Sequence, residues 1–218
     1  MRMTAPSSLR RRRRVSDLRD CRIGVSMIEF AFATPIFLTL LLGGLEIVNM
    51  AMTHLRINQV AITVADNASR LRTGVDETNI NELFSGAKLV GRSLAFERNG
   101  RVVLSSLEPN GQTGSNAGQM INWQRCYGGL NVSPKYGRQG TGRSTNALAG
   151  GMGPAGHRVH AADGTAVMYV EVTYRYNPLI VSVFSAAPTY IRYESAFNVR
   201  ERTNQNITNT KSITINSC

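Results

Sequence analysis

Residues 22 to 48 read RIGVSMIEFAFATPIFLTLLLGGLEIV, and their reading decides how the rest of the chain is organised. Between Phe30 and Leu45 lie sixteen consecutive residues without a charge, and the apolar character extends from Val25 to Met52 if Glu29 and Glu46 are admitted. At about 1.5 Å per residue, sixteen helical residues reach roughly 24 Å. A hydrocarbon core is roughly 30 Å thick, so the flanking turns must enter it as well. This is one membrane span, and no other stretch of the chain approaches its length. Pro35 falls early in it, where the hydroxyls of Thr34 or Thr39 lie close enough to ease the lost backbone hydrogen bond.

Working outward toward the N-terminus, the charge is concentrated. The chain of 218 residues carries a formal net charge of +11, which on its own suggests nucleic-acid binding. Residues 1 to 24, however, hold eight arginines against Asp17 and Asp20, a net of +6, and only +5 is left for the other 194 residues. A basic tail ahead of an apolar run is the pattern of a membrane-inserted N-terminus whose arginines stay in the cytoplasm. The nucleic-acid reading recedes accordingly. Everything after about Met52 is then expected outside the cytoplasm, in the periplasm of a Gram-negative cell.

Three readings of this N-terminus compete. A cleaved secretory signal needs a small-residue site after the apolar run, and Ile47 to Thr53 shows no clear A-x-A. An uncleaved signal anchor is the plain alternative. The third is a prepilin leader: a basic tail ending in Gly24, then Val25, with Glu29 and Phe30 opening the apolar helix. Glycine suits a protease that draws an extended chain into its site. A glutamate in lipid costs roughly 2.5 to 3.5 kcal/mol at mid-membrane and less near the edge, so Glu29 calls for a partner. The amino group freed on Val25 of a neighbouring subunit is one that a helical bundle would supply.

Gly24, Glu29, Phe30, Pro35 and the Gly43-Gly44-Leu45-Glu46 exit resemble the N-terminal motif of the TadE and TadG group of the tight-adherence (Flp, type IVb) pilus system. The resemblance covers roughly residues 20 to 70, about a quarter of the chain. It implies a leader cut by prepilin peptidase and a structural role at the inner membrane as minor pilin or pseudopilin. The implied partners are that peptidase, other Tad pilins and pseudopilins, and the assembly platform. No cofactor, no small-molecule substrate and no enzymatic activity is expected. The fold expected is α+β and pilin-like, a long N-terminal helix packed on a small antiparallel sheet domain with long loops. The division expected is a leader over 1–24, the membrane helix and its extension over 25–74, and a periplasmic domain over 75–218.

Beyond the span, Ile57, Ala61, Val64, Ala68 and Leu71 recur at alternating spacings of four and three, with Gln59, Thr63, Asp66 and Arg70 opposite. That is an amphipathic continuation of the same helix, about fifty residues in all, stopping near Gly74. A second helix is expected from about Asn79 to Phe96, with Asn79 as its cap. Arg101–Leu107 suggests a strand, Val167–Tyr176 and Tyr190–Arg200 are the two strongest strands, and Thr203–Ser217 alternates enough for an edge strand. Residues 109 to 164, rich in glycine and polar residues, read as loop-dominated, with room for short strands.

Of three cysteines, Cys21 falls in the leader, while Cys126 and Cys218 fall in the oxidising compartment and are a candidate disulfide; two free or intermolecular thiols are the alternative. Gly151, Gly153 and Gly156 satisfy G-x-G-x-x-G without a preceding strand or a following helix, so a dinucleotide site is rejected. His157 and His160 lack further ligands nearby, and His54 lies near the membrane exit. No catalytic residue and no metal site is nominated.

Overall fold

The computed structural model describes residues 22–72, 74–180 and 188–218. Residues 1–21 of the expected leader, Cys21 among them, and most of the connection after Leu179 lie outside the described residues. The fold is α+β. Helix α1 (Arg22–Ser69) leads to a short strand β1 (Val75–Asp76), helix α2 (Glu77–Val90) and a one-turn helix α3 (Phe96–Asn99). Strands β2 (Gly100–Pro109), β3 (Gln119–Tyr127), β4 (Val167–Tyr176), β5 (Thr189–Asn198) and β6 (Ile207–Thr208) follow. By their internal contacts residues 1–47 and 48–218 form two units.

The main sheet is antiparallel with the order β3-β2-β4-β5. Its faces are covered by different layers, and β4 shows why its sequence reads as a nearly continuous apolar run. Met168, Val170, Val172, Tyr174 and Tyr176 pack with the second half of α1 and with α2, while Val167 and Tyr169 pack under the long loop with Leu148, Met152 and Ala161. A one-residue bulge in β3 opposite Ser105–Leu107 reverses the alternation there. Trp123 therefore enters the helix-side core and Ile121, two residues away, enters the loop-side core. The indole N–H of Trp123 donates to the Gln205 carbonyl at 2.9 Å.

Several elements differ from their sequence expectation. Helix α2 begins two residues earlier and ends at Val90, short of Phe96. Its cap is Asp76, whose side chain accepts from the Thr78 N–H while the Asn79 side chain accepts from the Asp76 N–H; Asn79 is thus the third helical residue of a capping box. Asp76 also accepts from the Thr210 N–H at 2.8 Å. The backbone donors of Thr210 and Thr78 hold its carboxyl well below the usual carboxylate range. The stretch 109–164 contains a full strand, β3, whose polar residues conceal its alternation. The polar tail forms only Ile207–Thr208, and it pairs in parallel with β1 and not with the main sheet.

The tail is nonetheless fastened. Cys126 and Cys218 are joined by a disulfide. Next to it the Cys126 N–H donates to the Asn216 carbonyl at 2.8 Å, and the Asn216 side chain donates to Asn81 Oδ1 at 2.6 Å. Glu77, at the start of α2, accepts from Nε of Arg125 on β3 at 2.7 Å and from the same guanidinium's Nη2. Their side chains are 2% and 6% exposed. Nη1 of Arg125 is taken by the Gln124 carbonyl at 2.7 Å and by Gln139 Oε1 at 2.9 Å, which supplies the extra hydrogen bonds a buried ion pair requires.

Candidate functional site: the N-terminal helix and the surfaces it presents

Helix α1 changes character along its length. Leu, Ile, Phe, Met and Val side chains from Val25 to Val48 point outward on every side and are exposed. A helix apolar all round is one whose solvent is not water. Among the described residues it is the single helix long and apolar enough to cross a membrane, and its most apolar window has no residue buried within the protein. At about 1.5 Å per residue its 48 residues extend roughly 72 Å, far more than a hydrocarbon core.

Within this segment the polar groups are few and specifically arranged. Thr34 Oγ1 donates to the Phe30 carbonyl and Thr39 Oγ1 to the Pro35 carbonyl, both at 2.7 Å. Each hydroxyl is thereby satisfied by its own helix, the arrangement that makes threonine tolerable in lipid. Pro35 lies inside the helix without ending it. Gly24 and Val25 are helical and exposed, with open space around the position a Gly24 side chain would occupy. Glu29 and Phe30 are exposed one turn later, and Gly43 and Gly44 have similarly open surroundings.

The second half of the helix is a core element. Ile57, Ala61, Val64 and Ala68 are fully buried, and Leu71, just past the helix end, is partly buried against the same cluster. Val60 and Ala65 are equally buried, so the buried stripe is wider than a single seam. Alanines at these positions let the helix axis approach the sheet closely, where Val102, Leu104, Val170 and Val172 meet it. Polar contacts begin at the base of this stripe: Asn49 Nδ2 donates to the Tyr176 hydroxyl at 2.7 Å, and His54 Nδ1 lies 3.1 Å from the Tyr193 hydroxyl.

Residues 24–66, spanning both halves, match the family model described as TadE-like protein. This segment of the chain is TadE-like. The match begins at Gly24 and ends inside the buried stripe, so it contains Glu29, Phe30, Pro35 and the packing residues Ile57, Ala61 and Val64. No curated protein and no solved structure matches the chain. The family is thus tied to the helix, whereas the sheet domain is known from its own geometry.

That geometry holds a second polar grouping which sequence reading missed. On the loop side of the sheet, Glu171 of β4 stands directly opposite Glu194 of β5. Glu194 accepts from Lys135 Nζ and from the Tyr136 hydroxyl, both at 2.7 Å, and from the Tyr169 hydroxyl. Glu171 accepts from the Lys135 N–H at 2.9 Å through one oxygen, and its other oxygen is buried with no partner. Burial is the chief cause that pushes the Glu171 carboxyl up to about 7. For Glu194 the donors Lys135, Tyr169 and Tyr136 outweigh burial and hold the carboxyl low. Tyr136 and Lys135 come from the glycine-rich stretch and Tyr169 from a strand, so no spacing in the sequence announces their convergence.

Gly151, Gly153 and Gly156 shape a tight hairpin closed by the Met152↔Val159 bridge. A side chain on Gly151 or Gly153 would meet the Val159 or His157 carbonyl at 2.2 or 2.5 Å, and both glycines have positive φ. They serve a turn. His160 Nε2 lies 3.3 Å from the Ala149 carbonyl in the same loop.

Proposed function

We infer that this chain is a pilus assembly protein, a minor pilin or pseudopilin of a Flp/Tad adherence pilus, cut by prepilin peptidase between Gly24 and Val25. It acts structurally at the inner membrane, with residues 1–24 cytoplasmic and the sheet domain periplasmic. One observation carries the reading: a TadE-like helix whose outer half is apolar on every side and exposed, with a carboxylate, Glu29, five residues past Gly24. Such a surface demands lipid or other helices around it, and Glu29 demands an opposite charge. The amino group of a processed Val25 on an adjoining subunit meets both demands. The partners are accordingly the membrane, the peptidase, other Tad pilins and pseudopilins, and the assembly platform. The chemistry is packing and not turnover.

A second reading has an observation in its favour. The Gly24–Val25 bond lies within the helix, so a peptidase must unwind that turn to reach it. An uncleaved single-span anchor carrying a periplasmic scaffold keeps the turn intact. The N-terminal sequence and intact mass of the protein from native membranes, with and without a functional prepilin peptidase, decide between them. A peptidase-dependent start at Val25 is expected; a start at Met1 in both strains selects the anchored scaffold.

A further inference from the structure

The two edges of the main sheet are treated differently. On the β3 edge, Ile121 exchanges hydrogen bonds with Thr141 and Gly140 at 2.9 and 2.8 Å, and Cys126 donates to Asn216. The long loop and the disulfide-anchored tail thus close that edge. On the β5 edge nothing comparable exists: among the described residues, no backbone group of Thr189–Asn198 is bonded outside the pairing with β4. A bare edge of ten residues is a template for another strand unless something covers it.

The parity of this edge follows from one bond. The Val199 N–H donates to the Ala166 carbonyl at 2.9 Å, one step beyond the Val167↔Asn198 pair. Antiparallel pairs alternate between hydrogen-bonded and non-bonded, and the register is unbroken through Tyr176↔Thr189. Odd-numbered residues of β5 therefore turn their N–H and C=O toward β4, while Tyr190, Arg192, Glu194, Ala196 and Asn198 turn theirs outward. A cavity of about 400 Å³ is lined by Arg192 through Ala196 in unbroken succession, with Tyr169 of β4 on one side and the loop residues Pro154, His157 and Val159 across from them. A second, of about 480 Å³, continues past Ala196, Phe197 and Asn198. Successive residues of one strand line a single cavity only where the strand offers its backbone edge to it.

The charges on the edge select its occupant. Arg192, exposed, and Glu194 are two apart and both belong to the outward set. If two β5 strands meet antiparallel about a twofold axis through Tyr193, Arg192 of each copy lies opposite Glu194 of the other. Both contacts fall at hydrogen-bonded positions. A shift by two residues in either direction places Arg192 opposite Arg192, or Glu194 opposite Glu194, which is destabilising. We propose that β5 is a self-pairing edge, joining two copies of this chain into one continuous eight-stranded antiparallel sheet in the register Tyr193↔Tyr193. The pairing does not depend on whether the leader is removed.

The test uses the full chain in detergent, with Cys21 replaced by serine so that its thiol does not interfere. Tyr193→Cys places one thiol opposite itself and is expected to give a disulfide-linked dimer under mild oxidation. Ser195→Cys, displaced by roughly 13 Å from its own copy in this register, is expected to give none. Adding Arg192→Glu to Tyr193→Cys should lower the cross-linked fraction at least tenfold. Independently, sedimentation of the Cys21→Ser chain against the same chain with Arg192→Glu should show loss of dimer, which decides the matter should Tyr193→Cys not fold. Equal cross-linking at 193 and 195, indifference to Arg192→Glu, or cross-links formed solely to a different protein would each overturn the proposal.

Discussion

Glu171 and Glu194 face one another across the β4–β5 ladder, two carboxylates in direct register on the loop side of the sheet. By the parity set by the Val199–Ala166 bond, theirs is a non-bonded pair, the closer of the two antiparallel spacings. The donors are shared unequally, since Glu194 takes three side-chain donors and Glu171 one backbone N–H.

This inequality makes stability depend on pH in a defined direction. The Glu171 carboxyl is raised to about 7, so between about 4.5 and 7 the folded protein holds a proton that the unfolded chain releases. Stability conferred by protonated Glu171 is then fully present below about 4.5 and is lost as pH rises through 7. The loss is on the order of 3 kcal/mol across that window. Urea denaturation of the wild type at pH 5 and pH 8 should show the decline, and Glu171→Gln should largely abolish it. Glu194, held low, contributes the opposite slope at more acid pH and leaves this window untouched.

Reducing the Cys126–Cys218 bridge should destabilise the sheet domain. The two cysteines are 92 positions apart, and loop-closure entropy for such a loop sets a ceiling of about 4 to 5 kcal/mol. Cys218→Ser should lower the denaturation midpoint to the same extent as reductant does on the wild type, and reductant should have no further effect on the variant.

Glu77→Ala should cost about 3 to 5 kcal/mol, because it leaves the Arg125 guanidinium buried without its counter-ion. A double variant, Glu77→Gln with Arg125→Met, should recover much of the loss, and thermal unfolding of the three proteins measures the difference.

Glu29→Ala should leave processing after Gly24 intact while preventing incorporation with other pilins. The mass of the mature chain and its co-purification with partner pilins read the two effects separately. Normal incorporation would show that Glu29 needs no partner in the bundle.

Much of this architecture is legible along the chain wherever local physics suffices. The span is visible because lipid imposes an uninterrupted apolar length, and the stripe Ile57, Ala61, Val64, Ala68 because a helix on a core repeats every three or four residues. Strand β4 is visible because burial on both faces demands β-branched and aromatic residues throughout. Strand β3 is hidden because its two faces trade places at a bulge, so neither alternation nor an apolar run survives in QMINWQRCY. At the start of α2, the local partners Thr78 and Asn79 make the cap, while the further donors to Asp76, Thr208 and Thr210, lie 132 and 134 positions away and leave no local signal.

What the sequence by itself determined is the long apolar helix, the TadE-like pattern from Gly24 through Glu29, and the α+β class, since each rests on neighbours in the chain. Only the tertiary structure decided which charges are buried together, as Glu77 with Arg125 and Glu171 beside Glu194. It alone decided that the tail closes one edge of the sheet while, among the described residues, no backbone group bonds the outer edge of β5. Those outcomes depend on strand order and register, which place residues far apart in the chain at hydrogen-bonding distance, and no local periodicity encodes them.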